Sequence, residues 1–341
     1  MFRVGWWRLG WPGSWWSRRI ALVLAVLVVV GALPLAGGFA GLAVEGLGDV
    51  DGAPATHGTD AVWLGHSWVT GEPAGPAFDA LVAHLRAGGF RDVFVHVGPL
   101  SDNGSLNPAL APRAADLLAA LHAAVPAVRV QAWLGDVVAP DRLHLADPAT
   151  RTRILDAARH VLDLGFAGVH YDLEPVPTGD PDYLTLLAAT HAITSARHAL
   201  LSVAVDQIEP APGLAYPEQW IFGRAHFWTT GFITAVAKRV DEIAIMNYDS
   251  AIPTATAYAG YVRLQTRLAM NAVPAGVTLL MGLPAYHTDE LGHTGGETVS
   301  AAVRGVRLAL RGTDRVVGVA FYAEFAATPS DWAAYQQDWA N

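Results

Sequence analysis

Eight short apolar, β-branched runs recur every 30 to 40 residues or so between positions 61 and 325, and this recurrence limits the fold more than any other feature of the chain. They occupy residues 61–68, 90–98, 128–135, 166–174, 200–206, 241–249, 277–286 and 315–325. Between them lie amphipathic stretches with helical spacing, such as 77–89, 113–125, 149–165 and 183–199. Asp147-Pro148 and Asp180-Pro181 read as helix starts, and Gly165 as a stop. Strands that alternate with helices form a parallel sheet. Eight such units fit a closed (β/α)8 TIM barrel over residues 61–341 better than an open sheet. An open doubly wound sheet would carry a Gly-rich phosphate loop after its first strand, and the segment 65–73, GHSWVTGEP, is not one.

The first 60 residues are a different object. Ile20–Val44 runs 25 positions without a charge, enough at about 1.5 Å per helical residue to cross a hydrocarbon core of about 30 Å. Residues 1–19 carry Arg3, Arg8, Arg18 and Arg19 with no acid, and five tryptophans suited to a headgroup interface. The expected arrangement is a cytoplasmic basic, Trp-rich leader (1–19) and a transmembrane or signal-anchor helix (20–44). A tether (45–60) then leads to a barrel held outside the cell membrane. The rival arrangement is a cleaved signal peptide and a secreted barrel.

Composition removes several functions. The formal net charge of -9 argues against nucleic acid as a partner. The absence of Cys excludes disulfides, thiolate metal sites and a thiol nucleophile.

Chemistry in such barrels sits at the C-terminal ends of the strands, and polar residues of this chain gather there. They include His66, His96, Trp133, Asp136, Asp206, Asn247, Tyr248, Asp249, Tyr286, Tyr322 and Glu324. The fourth run is the most informative. His170, Asp172 and Glu174 alternate, so they share one strand face, and the apolar Val169, Tyr171 and Leu173 take the helix side. Two carboxyls stacked inside an apolar barrel cannot both ionise cheaply, so one stays protonated near neutral pH. Glu174, nearer the mouth, is the candidate acid and Asp172 its partner.

The run Ala167–Glu174 resembles the DGxDxDxE signature of family 18 glycoside hydrolases, the chitinase-like (β/α)8 barrels. Met246-Asn247-Tyr248-Asp249, Gly282-Leu283-Pro284-Ala285-Tyr286 and Gly318-Val319-Ala320-Phe321-Tyr322 resemble that family's motifs on strands 6, 7 and 8. The resemblance implies a retaining reaction in which the substrate's own 2-acetamido oxygen attacks the anomeric carbon. In it Glu174 protonates the leaving oxygen, Asp172 orients the acetamido N–H, and Tyr248 donates to the acetamido carbonyl. Tyr322 is the platform under the sugar. His170, Trp133, Asp206, Asn247, Asp249, Tyr286 and Glu324 join it as substrate-binding candidates. The implied partner is a glycan containing N-acetylhexosamine, from a cell wall or extracellular polysaccharide, with no cofactor and no metal.

The chain departs from the signature at Ala167 and His170, where the family has aspartates. One expectation follows: His170 pairs with Asp172 and replaces the family's two-Asp relay. Two other readings stay open. A degenerate barrel would bind sugar without turnover. A metal-dependent hydrolase would gather His66, His96, His170, Asp172 and Asp206 around an ion.

Overall fold

The computed structural model describes residues 37–53, 58–215, 227–288 and 292–341. The eight runs form the eight parallel strands of a closed barrel. They are β1 (Ala61–Leu64), β2 (Asp92–Pro99), β3 (Arg129–Val137), β4 (Gly168–Glu174), β5 (Leu200–Val205), β6 (Glu242–Ile245), β7 (Thr278–Pro284) and β8 (Gly318–Tyr322). Each is followed by a helix on the outside: α1 (Gly75–Gly88), α2 (Ala114–Ala124), α3 (Pro148–Asp163), α4 (Pro181–Ala196), α5 (Thr230–Ala237), α6 (Ala255–Ala272), α7 (Val299–Leu310) and α8 (Pro329–Tyr335).

The period-2 alternation of each strand builds two cores. Val62, Leu64, Val93 and Val95 point outward and pack under the helices. Ala61, Trp63, Phe94, Trp133, Ala204, Ala244, Leu280 and Ala320 point to the barrel axis. The helix starts follow the expected chemistry. The Asp147 carboxylate accepts from the Ala149 N–H, and Asp180 accepts from the N–H groups of Asp182 and Tyr183. Gly165 lies just past α3 with a φ of 101°, a conformation that favours glycine.

The first run stops as a strand at Leu64, and Ser67–Thr70 forms one helical turn instead. After β5 the chain leaves the barrel wall. Gln207–Ile208 pairs with Phe227–Trp228, and the Trp228 indole N–H donates to the Val176 carbonyl (2.7 Å). At the bottom, Asp60 ties the C-terminal segment to the barrel. It accepts from Val319 N (2.8 Å), Trp339 Nε1 (2.9 Å) and Tyr335 OH (3.2 Å), and burial raises its pKa to about 7.

The anchor expected at 20–44 falls mostly outside the described residues. Residues 37–45 are helical, and no described helix is long and apolar enough to cross a membrane. The first part of the tether expected at 45–60 packs on the barrel's outer helices. Leu42–Val50 lies against α6 and α7, because two glycines let backbones meet. A Cβ on Gly46 would sit 1.9 Å from the Thr256 carbonyl oxygen, and one on Gly260 would sit 1.8 Å from that of Leu42. Arginines then clamp it: Arg263 donates to the Glu45 carbonyl (2.9 Å), Arg304 to Gly46 (3.0 Å), Arg311 to Asp49 (2.7 Å) and Arg307 to Val50 (3.0 Å).

Helices α6 and α7 are themselves in close contact at Gly305, where a Cβ would lie 2.5 Å from the Ala259 carbonyl oxygen and 2.6 Å from Val262 Cβ. Gly305→Ala is expected to destabilise the barrel by about 1–3 kcal/mol through this overpacking. Thermal unfolding measures it, and an unchanged midpoint would contradict so tight an approach.

Candidate active site

Register decides what surrounds the signature strand. Trp133, Gly135 and Val137 of β3 pair with His170, Asp172 and Glu174 of β4. Gly135 is needed beside Asp172, since a Cβ there would meet the Asp172 carbonyl oxygen at 2.7 Å. On the other side His170 pairs with Ser202 of β5. The three inward side chains therefore stack along the axis as expected, with His170 deepest.

Asp172 and Glu174 open into a cavity of about 570 Å³ at the C-terminal mouth. Its walls include Trp63, Trp133, Met246, Tyr248, Asp249, Tyr286 and Tyr322, with His96, Asp136, Val137 and Phe325 toward the rim. The Tyr248 and Tyr322 rings stack (centroids 5.3 Å, interplanar 15°), and Tyr286 meets both edge-on. Glycine again makes the room: a Cβ on Gly282 would lie 2.7 Å from Tyr248 Cε1. Tyr286 donates from its hydroxyl to Asp249 Oδ1 (2.6 Å).

The two carboxyls are a coupled pair. Burial raises the Glu174 pKa well above the ordinary carboxylate value, and the charges of Asp172, Asp206 and Asp249 raise it further. Burial also raises Asp172, while hydrogen bonding to Glu174 and the facing Trp133 indole hold it down. The Trp133 Nε1 atom is buried without closing a hydrogen bond of ordinary length. The shared proton therefore belongs on Glu174, the outer of the two, which becomes a neutral acid beside a carboxylate.

His170 does not take the expected role. Its side chain is fully buried below the cavity floor, stacked on Phe94 at 3.8 Å, and it makes no pair with Asp172. Trp63 Nε1 donates to His170 Nε2 (3.1 Å), which leaves the proton on Nδ1, facing Ser202 Oγ (2.7 Å). Ser202 Oγ donates to Gln131 Oε1 (2.8 Å), and Gln131 Nε2 donates to Asp92 Oδ1 (2.9 Å) and Glu242 Oε1 (3.1 Å). Arg129 closes this chain on Asp92 at the barrel bottom (Nε to Oδ1, 2.9 Å). The relay between His170 and Asp172 is absent because both imidazole nitrogens are already committed.

Other candidates divide by position. Trp133, Tyr248, Asp249, Tyr286 and Tyr322 line the cavity with the two carboxyls. Asp206 acts on Glu174 through its charge. Asn247 is fully buried and points away, with Nδ2 donating to the Gly282 carbonyl (3.1 Å) and its backbone carbonyl accepting from Tyr258 OH (3.1 Å). Glu324 lies beside the cavity rather than in its wall and accepts from Trp68 Nε1 (3.0 Å). Among the described residues the five-residue metal set does not converge, and both ring nitrogens of His170 are already committed. Sequence reasoning missed Phe325 (55% exposed) and Val137 (49% exposed) as an apolar rim. The signal was an apolar residue at a strand's last position (Val137) or just past one (Phe325), where burial would otherwise be expected.

Burial lowers the His170 pKa from 6.5 to about 3. Unfolded His protonates near 6.5, so this group makes the fold lose stability as pH falls from there toward about 3. The imidazole is expected to stay neutral, protonated on Nδ1, throughout pH 5–8. Nitrogen chemical shifts of a histidine-labelled chain measure this, and a titration near pH 6 assigned to His170 would overturn the hydrogen-bond chain.

No protein-family model matches the sequence, and no curated protein matches it. Solved structures do match in fold. The chitinase of Chromobacterium violaceum superposes with a TM-score of 0.57 at 15% identity, over 83% of this chain and 99% of that one. The spore cortex-lytic enzyme SleL of Bacillus megaterium gives 0.58 at 13%, over 84% and 75%. The GH18 chitinase of Cycas revoluta, solved in complex with (GlcNAc)3, gives 0.57 at 13%, over 82% and 99%. This chain therefore shares the (β/α)8 fold of these solved structures.

Proposed function

We propose that the chain is a membrane-anchored, extracytoplasmic glycoside hydrolase acting on a glycan that contains N-acetylhexosamine. The observation that carries this reading is the Asp172–Glu174 pair at the base of an aromatic-walled cleft, where burial and neighbouring carboxylates push the pKa of the outer member upward. A neutral carboxyl there can protonate a glycosidic oxygen, and a general acid contributes about two to four orders of magnitude. The chitinases and the cortex-lytic enzyme of the same fold support the substrate class, as does the bound (GlcNAc)3 of the Cycas revoluta enzyme.

In this reading the sugar rests against the Tyr322 and Tyr248 rings, with its acetamido group turned toward Asp172. Glu174 gives its proton to the leaving oxygen as the glycosidic bond breaks. The acetamido carbonyl oxygen bonds to the anomeric carbon, and the charge of Asp172 offsets the positive charge of the cyclic intermediate. Tyr248 donates to the acetamido oxygen. Water then opens the ring, with Glu174 acting as base, and the anomeric configuration is retained. His170 takes no part in proton transfer.

Glu174→Gln is expected to lower turnover on aryl N-acetylglucosaminides and cell-wall fragments by at least about 100-fold while glycan binding and folding persist. Unchanged turnover would remove Glu174 from the acid's role. One observation favours a second reading, a glycan-binding barrel without turnover: the residue beneath Asp172 is a committed neutral histidine. Glycan binding by the wild type with no hydrolysis of any N-acetylhexosaminide would select that reading.

The location rests on the Arg-flanked apolar run Ile20–Val44. The full chain is expected in the membrane fraction, with its barrel digested by protease added outside intact cells. Full-length chain in the soluble cytoplasm would refute the anchor, and a shortened chain in the medium would point to cleavage.

A further inference from the structure

On one side of the cleft, the loops after β6 and β7 bring together Asp249, His293 and Glu297. One ligand atom of each lies within 4.8 Å of the other two. His293 Nδ1 is 3.6 Å from Glu297 Oε2 and 3.8 Å from Asp249 Oδ1. The imidazole is 7% exposed, and Nδ1 is buried with no hydrogen-bond partner. A nitrogen buried among oxygens at these distances is too far for a hydrogen bond, and leaving it unmade costs free energy.

The surroundings hold Glu297 in place and tether Asp249 at one oxygen. Glu297 accepts from Asp249 N (2.7 Å) through Oε2, and from Ser250 N (2.8 Å) and Ser250 Oγ (2.8 Å) through Oε1. The Asp249 carboxylate holds Tyr286 OH. Ala251 N donates to the Gly292 carbonyl (2.7 Å), so the two loops are also joined by backbone. The two oxygens nearest His293 Nδ1, Glu297 Oε2 and Asp249 Oδ1, accept one of these bonds each and so keep a second lone pair.

We propose that Asp249, His293 and Glu297 form a binding site for a divalent cation of the zinc class, which staples the two loops beside the cleft. A zinc-type ion sits about 2.0–2.2 Å from nitrogen and carboxylate donors, which places tetrahedral donors about 3.3–3.5 Å apart. Two of the separations here are within a few tenths of an ångström of that. The Asp249 side chain, 51% exposed, has freedom to close the third. One imidazole and two carboxylates suit a borderline cation better than calcium or magnesium, which prefer oxygen alone. A solvent cavity of about 510 Å³ lined by His293, Thr294 and Thr288 gives the ion an entry and a water for its fourth position. Through the bond from Tyr286 to Asp249, the site braces one wall of the cleft, and it stands whether or not the cleft hydrolyses glycan.

The test uses the full-length chain, stripped by chelator and dialysed against Zn²⁺ or Co²⁺. The wild type should retain one metal per chain by elemental analysis, and the Co²⁺ form should show visible bands of a low-coordinate nitrogen–oxygen site. Zn²⁺ at about 100-fold over its Kd should raise the thermal midpoint by a few degrees. His293→Ala and Asp249→Asn should each weaken retention at least tenfold and abolish the rise. His287→Ala, at a neighbouring histidine already bonded to Asp331 (2.9 Å), should retain the metal. Asp249→Asn decides the matter if His293→Ala fails to fold. No stoichiometric metal in the wild type would overturn the site, and so would equal retention by a folded Asp249→Asn or His293→Ala chain.

Discussion

A polar group placed on the axis of a closed barrel must be partnered there, because the strands shut water out. The hydrogen-bond chain from Trp63 through His170, Ser202 and Gln131 to Asp92, Glu242 and Arg129 meets that demand from beneath the cavity to the barrel bottom. Trp63 and Ser202 take both imidazole nitrogens, so the histidine is locked neutral and oriented. The chain leaves Asp172 and Glu174, one and two pleats above, to be matched only by each other and the cleft. That makes the floor of the cleft a place where one carboxyl keeps its proton.

The cleft above depends on small residues in the strands. Gly135 admits the β4 backbone beside Asp172, and Gly282 admits the Tyr248 ring. Without these two, the aromatic wall and the acid pair could not occupy adjacent layers. Close approach is used outside the barrel as well. Gly46, Gly260 and Gly305 bring backbone against backbone among α6, α7 and the segment that precedes the barrel. The guanidinium groups of Arg263, Arg304, Arg307 and Arg311 then take carbonyl groups that no helix satisfies.

Much of the fold was legible because local rules and global topology agree. The alternation of Val62 and Leu64 with Ala61 and Trp63 reads as a strand and also sorts the two cores. Asp147-Pro148 and Asp180-Pro181 cap helices by contacts two or three residues long, which a sequence displays directly. The spacing of Asp172 and Glu174 gave their common face for the same reason. His170 shares that face, and its reading as a partner of Asp172 failed. Strand spacing says which side chains point inward, but not which neighbouring strand supplies a better hydrogen-bond partner. Ser202 and Trp63 lie 32 and 107 residues away in the chain.

The same limit applies to Asn247 and to the site at His293. Asn247 belongs to a motif whose tyrosine and aspartate do face the cleft, yet its side chain turns to β7 to bond the Gly282 carbonyl. Asp249 and Glu297 are 48 residues apart, and only the adjacency of β6 and β7 brings their loops together. The sequence by itself determined the barrel, the helix boundaries and the inward carboxyl pair, since these follow from periodicity and short-range capping. Tertiary structure alone decided which polar groups are exposed to the cleft and which are spent inside the wall. Burial and hydrogen-bond partners come from strands and loops that meet only when the barrel closes.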